Sequence, residues 1–193
     1  MNSKANYDDL NNALKALREG KVILYPTDTI WGIGCDATSE AAIENVNILK
    51  GRPANKNLII LLENANNLNS YVKEVPEVAY ELIEYSDHPM TIVFSGAKNL
   101  PANLIAEDGS IGIRIVKDDF CQELIRRFRK PIVSTSANLT GQPAPKNYSY
   151  IDEAIVSGVD YVVNHRQNDN TEALPSTIIK LGPSGQFEFI RKP

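Results

Sequence analysis

The strongest constraint on the fold is the alternation of short apolar segments with longer segments in which apolar residues recur every three or four positions. Short apolar runs bounded by Gly or Pro predict buried strands, and a repeat of about 3.6 residues predicts amphipathic helices. The two kinds of segment follow one another along nearly the whole chain. This alternation predicts an α/β fold with helices packed on a mixed, twisted sheet.

Two helices carry recognisable start and stop signals. The helix predicted over 7–19 has leucines at positions 10, 14 and 17 and is followed by Gly20. In the helix predicted over 39–50, Ser39 can act as N-cap and Gly51 as the stop. Further helices are predicted at 66–72, 77–85, 118–128 and 151–157.

Strands are predicted between these helices. Their ranges are 22–25, 30–37, 58–62, 91–94, 111–115, 131–135, 161–163, 177–181 and 187–191. The last two are joined by 182–186, which predicts a hairpin. The chain shows no repeat, no low-complexity segment and no linker, so we expect a single domain over residues 1–193.

Composition narrows the functional classes. The formal net charge of −4 argues against a globally basic nucleic-acid surface, so any RNA contact needs a local patch. There is no apolar run of about 20 residues and no signal-peptide pattern, which favours a cytoplasmic protein without a membrane partner. Cys35 and Cys121 have no metal or redox spacing, and we expect them to be reduced packing residues.

The first polar segment of interest is Thr27, Asp28 and Thr29, which follows the predicted strand at 22–25. Hydroxyls at a strand end can bind a small zwitterion, and the glycines that follow permit close approach of a ligand to the backbone. A plain β-turn explains the same residues, because Pro, Asp and Thr are all common in turns. Local chemistry alone favours the turn.

The second segment contains Lys50, Arg52 and Lys56, beginning at the end of a predicted helix. Cations near a helix C-terminus are stabilised by the helix dipole, by about 0.3–1 kcal/mol, so a structural role is available. Three cations within seven residues also suit the oxygens of a triphosphate, with Arg as a planar fork and Lys as a point charge. The two interpretations are equally supported at this point.

The third segment is 134–141, which follows the predicted strand at 131–135 and is rich in Ser, Thr and Asn. Ligands of open α/β sheets gather beyond the carboxyl ends of strands, and we expect this segment to lie there. The same residue types also form local Asx and Ser/Thr turns.

Several common sites are missing from the sequence. There is no Walker A segment, no Gly-x-Gly-x-x-Gly after a strand and no cluster with metal-ligand spacing, so no metal site is predicted. His88 and His165 stand outside any triad-like context, which argues against a serine nucleophile. Any ATP site must use a scaffold other than a P-loop.

Five separated segments resemble one family. They are Pro-Thr-Asp-Thr at 26–29, Lys-Gly-Arg-Pro at 50–53, Ser-Ala-Asn-Leu-Thr-Gly at 136–141, Pro-Ser-Thr-Ile-Ile at 175–179 and Phe-Ile-Arg at 189–191. In this order they resemble the L-threonylcarbamoyladenylate synthases, the YrdC family, in the short single-domain form. The resemblance implies a mixed sheet flanked by helices around a large concave, basic cleft.

The resemblance also implies a reaction and its partners. Members of the family join L-threonine, bicarbonate and ATP into threonylcarbamoyl-AMP and pyrophosphate, and a downstream threonylcarbamoyl transferase complex modifies tRNA to threonylcarbamoyladenosine (t6A). We therefore expect an ATP-dependent nucleotidyltransferase, with Mg2+ bound mainly through ATP and only a weak contact with tRNA. No nucleophile–base pair is needed, because positioning and charge stabilisation suffice for such chemistry.

Site residues are carried over from the family one by one. The resemblance implies a catalytic tetrad of Lys50, Arg52, Ser136 and Asn138. It implies ATP contacts from Arg52, Lys56, Thr91, Ser136, Asn138 and Arg191. It implies threonine contacts from Thr29, Arg114 and Ser176, with Arg114 binding the carboxylate.

Two rival interpretations stay open. The first is a non-catalytic module of the same fold that binds tRNA or double-stranded RNA through the basic run 126–130. The same run can simply end an amphipathic helix, where cations are favoured, and we prefer that explanation. The second rival is a carbamoyl-transfer protein of hydrogenase maturation, whose chains are longer and carry zinc-finger and acylphosphatase parts absent from this sequence.

Overall fold

The computed structural model describes residues 3–52 and 58–192. Its strands are β1 (Ile23–Tyr25), β2 (Gly32–Gly34), β3 (Ile59–Leu62), β4 (Met90–Phe94), β5 (Ile111–Ile115), β6 (Ile132–Ser136), β7 (Tyr161–Val162), β8 (Thr177–Leu181) and β9 (Phe187–Arg191). Its α-helices are α1 (Ser3–Arg18), α2 (Glu40–Lys50), α3 (Leu68–Tyr71), α4 (Glu77–Tyr85), α5 (Asp119–Phe128) and α6 (Glu153–Gly158). Short 3-10 turns cover Ala65–Asn67 and Tyr148–Tyr150.

The strands of the described residues form one mixed sheet in the order β7-β1-β2-β6-β3-β5-β4-β8-β9. The pairs β1–β7, β3–β5 and β4–β8 are parallel, and the remaining neighbours are antiparallel. The expectation of a mixed sheet flanked by helices is therefore confirmed, as is the hairpin between β8 and β9.

One face of the sheet is covered by a continuous apolar core. Because side chains alternate along a strand, Ile60, Ile92, Ile113 and Val133 all point to this face. They pack with buried residues of α2, α4 and α6, among them Ile43. This core accounts for the near-continuous apolar character of the central strands, which identified them in the sequence.

The opposite face is covered at one end only. There α1 and α5 pack on β1, β3 and β6 through a second apolar cluster that includes Leu17, Tyr25, Leu61 and Leu124. Farther along the same face, the positions that alternate with the first core carry Gly, Ser, Thr and Arg side chains instead of aliphatic ones. A concave cavity of about 560 Å³ lies over this part of the sheet.

The predicted caps of α2 are confirmed. The Ser39 hydroxyl accepts a hydrogen bond from the backbone N–H of Ala42 at 3.3 Å. At the other end, Gly51 adopts the left-handed conformation with φ 61°. Gly51 donates its own N–H to the carbonyl of Ile48, and the N–H of Arg52 reaches the carbonyl of Asn47. These bonds end the helix and turn the chain back over its last turn.

Some predicted bounds were wrong. The strand predicted over 30–37 pairs continuously only over β2, and the helix predicted over 66–72 divides into a 3-10 turn and the short α3. The segment 134–141 does not lie wholly beyond a strand end: Ser134 and Ser136 belong to β6 and face the cavity from the strand itself. Sequence periodicity could not separate these cases, because polar residues on one face of a strand look like a loop.

Within residues 3–52 and 58–192, the structure contains no helix with both the length and the apolar character that a membrane crossing requires.

Candidate active site

The cavity brings together residues from most of the chain. Of the site residues predicted from the sequence, those within the described ranges all line it: Thr29, Lys50, Arg52, Thr91, Arg114, Ser136, Asn138, Ser176 and Arg191. Lys56 lies outside the described residues. Segments separated by up to 162 positions, from Thr29 to Arg191, therefore share one concave surface. Their individual roles remain predictions.

Lys50 connects α2 to the end of β6. Its ammonium donates to the backbone carbonyls of Ser136, at 2.5 Å, and Asn138, at 2.6 Å. The residue is only 4% exposed. Burial, and secondarily the neighbouring Arg52, lower the pKa of Lys50 to about 8. The free amino acid pattern suggested interaction with the helix dipole, whereas the structure points this cation across to another strand.

Arg52 occupies the turn after α2. Its Nε donates to the side-chain oxygen of Asn47 at 3.1 Å. One terminal nitrogen, Nη2, is buried and has no hydrogen-bond partner among the described residues. Burial lowers the pKa of the guanidinium below its usual value. A buried, unpaired donor is costly, so this nitrogen is suited to an anionic ligand in the cavity.

Arg114 lies deep in the cavity on β5. It donates to the hydroxyl of Thr29 at 3.0 Å and to that of Thr27 at 3.3 Å. Its Nη2 also lies 3.3 Å from the carboxylate of Asp28, and both side chains are less than a tenth exposed. Its Nε is buried without a partner among the described residues. The Pro-Thr-Asp-Thr segment is thus more than a turn, because its three polar side chains hold one arginine.

A second arginine stands at the other side of the cavity. Arg191, at the end of β9, donates to the carbonyl of Ser176 at 2.8 and 3.1 Å. The Ser176 hydroxyl lies 2.8 Å from that of Thr91 on β4. Burial, and to a lesser degree Arg114, lower the pKa of Arg191. The contact fixes the last strand to the segment that precedes β8.

The charge of the cavity is positive although the chain is acidic overall. Among the described lining residues, the charged ones are Lys50, Arg52, Arg114 and Arg191, and no carboxylate lines the wall. Asp28 lies behind Arg114 and offsets one of these charges. An excess of cations in a partly enclosed cavity suits a ligand with several negative charges.

Two glycines keep the floor of the cavity open. Gly32 on β2 and Gly112 on β5 both line it. A Cβ atom at Gly112 would lie 2.8 Å from the side chain of Ile59, and one at Gly32 would lie 3.2 Å from the Ser134 hydroxyl. Larger residues at either position would therefore need their neighbours to shift. These glycines permit a ligand to approach the backbone of the sheet.

Two contributors were missed in the sequence. Asn47 contacts Arg52 from the buried face of α2, and Arg166 donates to the Thr27 carbonyl at 3.1 Å while pairing with Asp118 at 2.9 Å. The signal for Asn47 was available, since it is a polar residue three positions before Lys50 on an otherwise apolar helix face. No sequence signal indicated the contact of Arg166, because its partners are 48 or more residues away.

The basic run at 126–130 is largely engaged within the protein. Arg126 and Arg127 both form ion pairs with Glu123, one turn earlier in α5. Arg129 caps the helix in the left-handed conformation, and Lys130 pairs with Asp36 at 2.7 Å. These contacts agree with the structural explanation of the run.

Comparison with known proteins gives a consistent result. The sequence model of the Sua5/YciO/YrdC family, described as "Telomere recombination", matches residues 15–192. A threonylcarbamoyl-AMP synthase from Pseudoalteromonas translucida is 33% identical over 169 residues, which cover 86% of this chain and 89% of that protein.

Solved structures of Pyrococcus abyssi Sua5 have the same fold. The H234A/Y235A variant superposes with a TM-score of 0.84 at 27% identity, covering 96% of this chain and 56% of that one. The complex of Sua5 with L-threonine gives a TM-score of 0.79 at 26% identity, covering 91% of this chain and 51% of that one. The present chain is thus similar to about half of the Sua5 chain.

Proposed function

The chain belongs to the Sua5/YciO/YrdC family, and from this premise we propose that it synthesises L-threonylcarbamoyl-AMP from L-threonine, bicarbonate and ATP. The relatives named threonylcarbamoyl-AMP synthase support this assignment. The product is the activated donor for t6A modification of tRNA, and a separate transferase complex consumes it. The chain acts as one catalytic domain, because the cavity draws its lining from residues between Thr29 and Arg191.

The observation that carries the proposal is the meeting of separated polar motifs in one cationic cavity. The cavity volume of about 560 Å³ lies within the usual range for small-molecule sites, roughly 300–1,000 Å³. Three of its cations have no carboxylate partner among the described residues: Lys50, Arg52 and Arg191. This arrangement is suited to a triphosphate next to a small amino acid.

The reaction divides into two balanced steps. First, the threonine amine attacks the carbon of bicarbonate: a C–N bond forms, water leaves, and a proton is released to solvent, giving a carbamate. Next, a carbamate oxygen attacks the α-phosphorus of ATP, and the bond to pyrophosphate breaks. Neither step forms a bond to the protein, so the contribution of the chain is positioning and charge stabilisation.

The nucleotide end is formed by Lys50, Arg52, Ser136 and Asn138, with Thr91 and Arg191 as further contacts. Arg52 offers an unpartnered terminal nitrogen to a phosphoryl oxygen. Lys50 keeps the loop at Ser136 and Asn138 in place through its two carbonyl contacts and adds positive charge. These charges would neutralise the pentavalent transition state and the leaving pyrophosphate. Lys56 is proposed as an additional ATP ligand from its position in the motif.

The amino-acid end is formed by Thr29, Arg114 and Ser176. Arg114 is held by Thr27, Thr29 and Asp28, so its guanidinium is oriented before any ligand arrives. The unpartnered Nε is the donor proposed for the threonine carboxylate. The binding of L-threonine by the similar Sua5 protein supports this assignment.

Mg2+ enters with ATP in this proposal. Within the described residues, no group of three His, Cys, Asp or Glu side chains could hold a metal ion. The cavity wall therefore does not fit a protein-bound Mg2+, whereas phosphate oxygens and water satisfy its preferred coordination. We derive no step from the ion.

The proposal is tested by incubating the protein with ATP, bicarbonate and threonine and detecting the acyl-adenylate by mass spectrometry. Pyrophosphate release that depends on both threonine and bicarbonate is expected. Serine and valine serve as controls, one lacking the methyl group and the other the hydroxyl group. Tight tRNA binding in a protein that releases no threonine-dependent pyrophosphate would favour the RNA-binding alternative instead.

A further inference from the structure

Asn47 is an unusual residue for its position. It lies on the inner face of α2 with Ala42, Ile43 and Val46, and it is 1% exposed. Burying an amide costs free energy unless its polar atoms are satisfied, and a Leu would fill such a position more favourably. The side-chain nitrogen of Asn47 is buried without a partner among the described residues. Stability alone therefore does not explain this side chain.

The contact that Asn47 does make is with Arg52. Its side-chain oxygen accepts from Arg52 Nε at 3.1 Å, and its backbone carbonyl accepts from the Arg52 N–H at 3.1 Å. The left-handed Gly51 between helix and turn makes this return possible. Two hydrogen bonds from one residue thus hold both the backbone and the side chain of Arg52.

Fixing Nε also fixes the rest of the guanidinium, because the group is planar. Arg52 lines the cavity, and its buried Nη2 has no partner among the described residues. An arginine held in this way loses less conformational entropy on binding an anion than one that is free to rotate. Asn47 itself does not line the cavity, so it can act only through a neighbour.

From these contacts we infer that Asn47 is a positioning residue, which orients the Arg52 guanidinium toward the phosphates of a bound nucleoside triphosphate. The inference rests on the proposed function for the identity of the nucleotide. It adds to that function a residue that touches no substrate, and it explains why a buried amide interrupts the apolar face of α2.

The test is a double-mutant cycle with binding as the readout. The affinity for a non-hydrolysable ATP analogue is measured by calorimetry for the wild type, Asn47→Leu, Arg52→Ala and the double variant. Because a hydrogen bond to a charged group contributes about 1.5–3 kcal/mol, Asn47→Leu is expected to weaken binding by about tenfold or more. In the Arg52→Ala background, the same substitution should have almost no effect, since the group it orients is gone.

Two further variants keep the test decisive. Asn47→Ala guards against overpacking by the leucine and should give the same coupling. Val46→Ala disturbs the adjacent buried position of α2 without touching Arg52, so it should lower the thermal midpoint and leave analogue binding unchanged. For threonine, Asn47→Leu should change the KM little.

Three outcomes would overturn the inference: unchanged analogue affinity in Asn47→Leu, an equal loss in the Arg52→Ala background, or the same loss in Val46→Ala. Failure of the proposed function is distinguishable, because it would be seen as absent adenylate synthesis by the wild type. The binding cycle can be completed on a protein that binds the analogue but makes no adenylate.

Discussion

Lys50 provides the sharpest prediction from the geometry, because it is a buried cation whose charge is only partly favoured. Burial, followed by repulsion from Arg52, lowers its pKa to about 8. At pH 8 about half of the unliganded molecules therefore carry a neutral lysine. A triphosphate placed beside Lys50 favours the charged form and raises its pKa. Nucleotide binding at pH 8 should then take up about 0.5 proton at this residue, and almost none at pH 6.5.

The same pKa has a consequence for stability. Since the folded value lies below the ordinary 10.5, the unfolded chain binds more protons between about pH 8 and 10.5. Stability therefore rises with pH across this window, by about 3 kcal/mol for this one group, and the contribution stays level below pH 8. Lys50→Met should remove this rise, which urea unfolding at pH 7 and at pH 9.5 can measure.

Proton uptake is measured by titrating a non-hydrolysable ATP analogue into the protein in HEPES and in Tris, buffers with different ionisation enthalpies. The difference between the wild type and Lys50→Met isolates this residue from the titration of the nucleotide. Lys50→Arg keeps the charge without a pKa near 8 and should resemble Lys50→Met in uptake while retaining more affinity. Equal proton uptake by the wild type and Lys50→Met at pH 8 would refute the reasoning.

Three other predictions follow from the fold and the cavity. Arg52→Ala should lower adenylate formation at least tenfold and leave the thermal midpoint nearly unchanged, since a cavity residue is not part of the core; an unfolded variant whose surviving fraction is fully active would contradict this. Gly34→Ala should destabilise the protein by about 1–3 kcal/mol in urea unfolding, because its Cβ would lie 2.6 Å from both the Tyr25 ring and the Val133 carbonyl oxygen; a change within error would show that the sheet relaxes there. The triple replacement of Arg126, Arg127 and Arg129 by Gln should leave adenylate synthesis unchanged, and the salt dependence of tRNA affinity should differ little from the wild type, whereas a loss of slope of about 0.7–0.9 per contact would place RNA on this surface.

Sequence patterns were sufficient for most of the secondary structure. The bounds of α4, β5, β8 and β9 agree with prediction, and both caps of α2 were correctly identified. These features depend on local physics: apolar periodicity, an N-cap hydroxyl and a glycine that adopts a left-handed conformation. The bounds of β2 were wrong because its glycines and polar neighbours carry no periodic signal.

The candidate site was predictable only as a set of residue types. The motifs indicated hydroxyls for a small amino acid and cations for phosphates, and the resemblance to a family assigned their roles. It was not apparent that Lys50 donates to carbonyls 86 and 88 residues away, or that three side chains of the Pro-Thr-Asp-Thr segment hold Arg114. Such contacts depend on strand order, and strand order has no local signature.

By itself, the sequence determined which segments are helices and strands, where the main helix ends lie and which side chains can bind anions. Only the tertiary structure decided that α1 and α5 cover one end of the inner sheet face and leave the remainder open. Cross-strand register then places Gly32 beside Ser136 and Thr91 beside Arg114 on that open face. A cavity is a property of packing between distant segments, and its polarity follows from which face of each strand the helices leave uncovered.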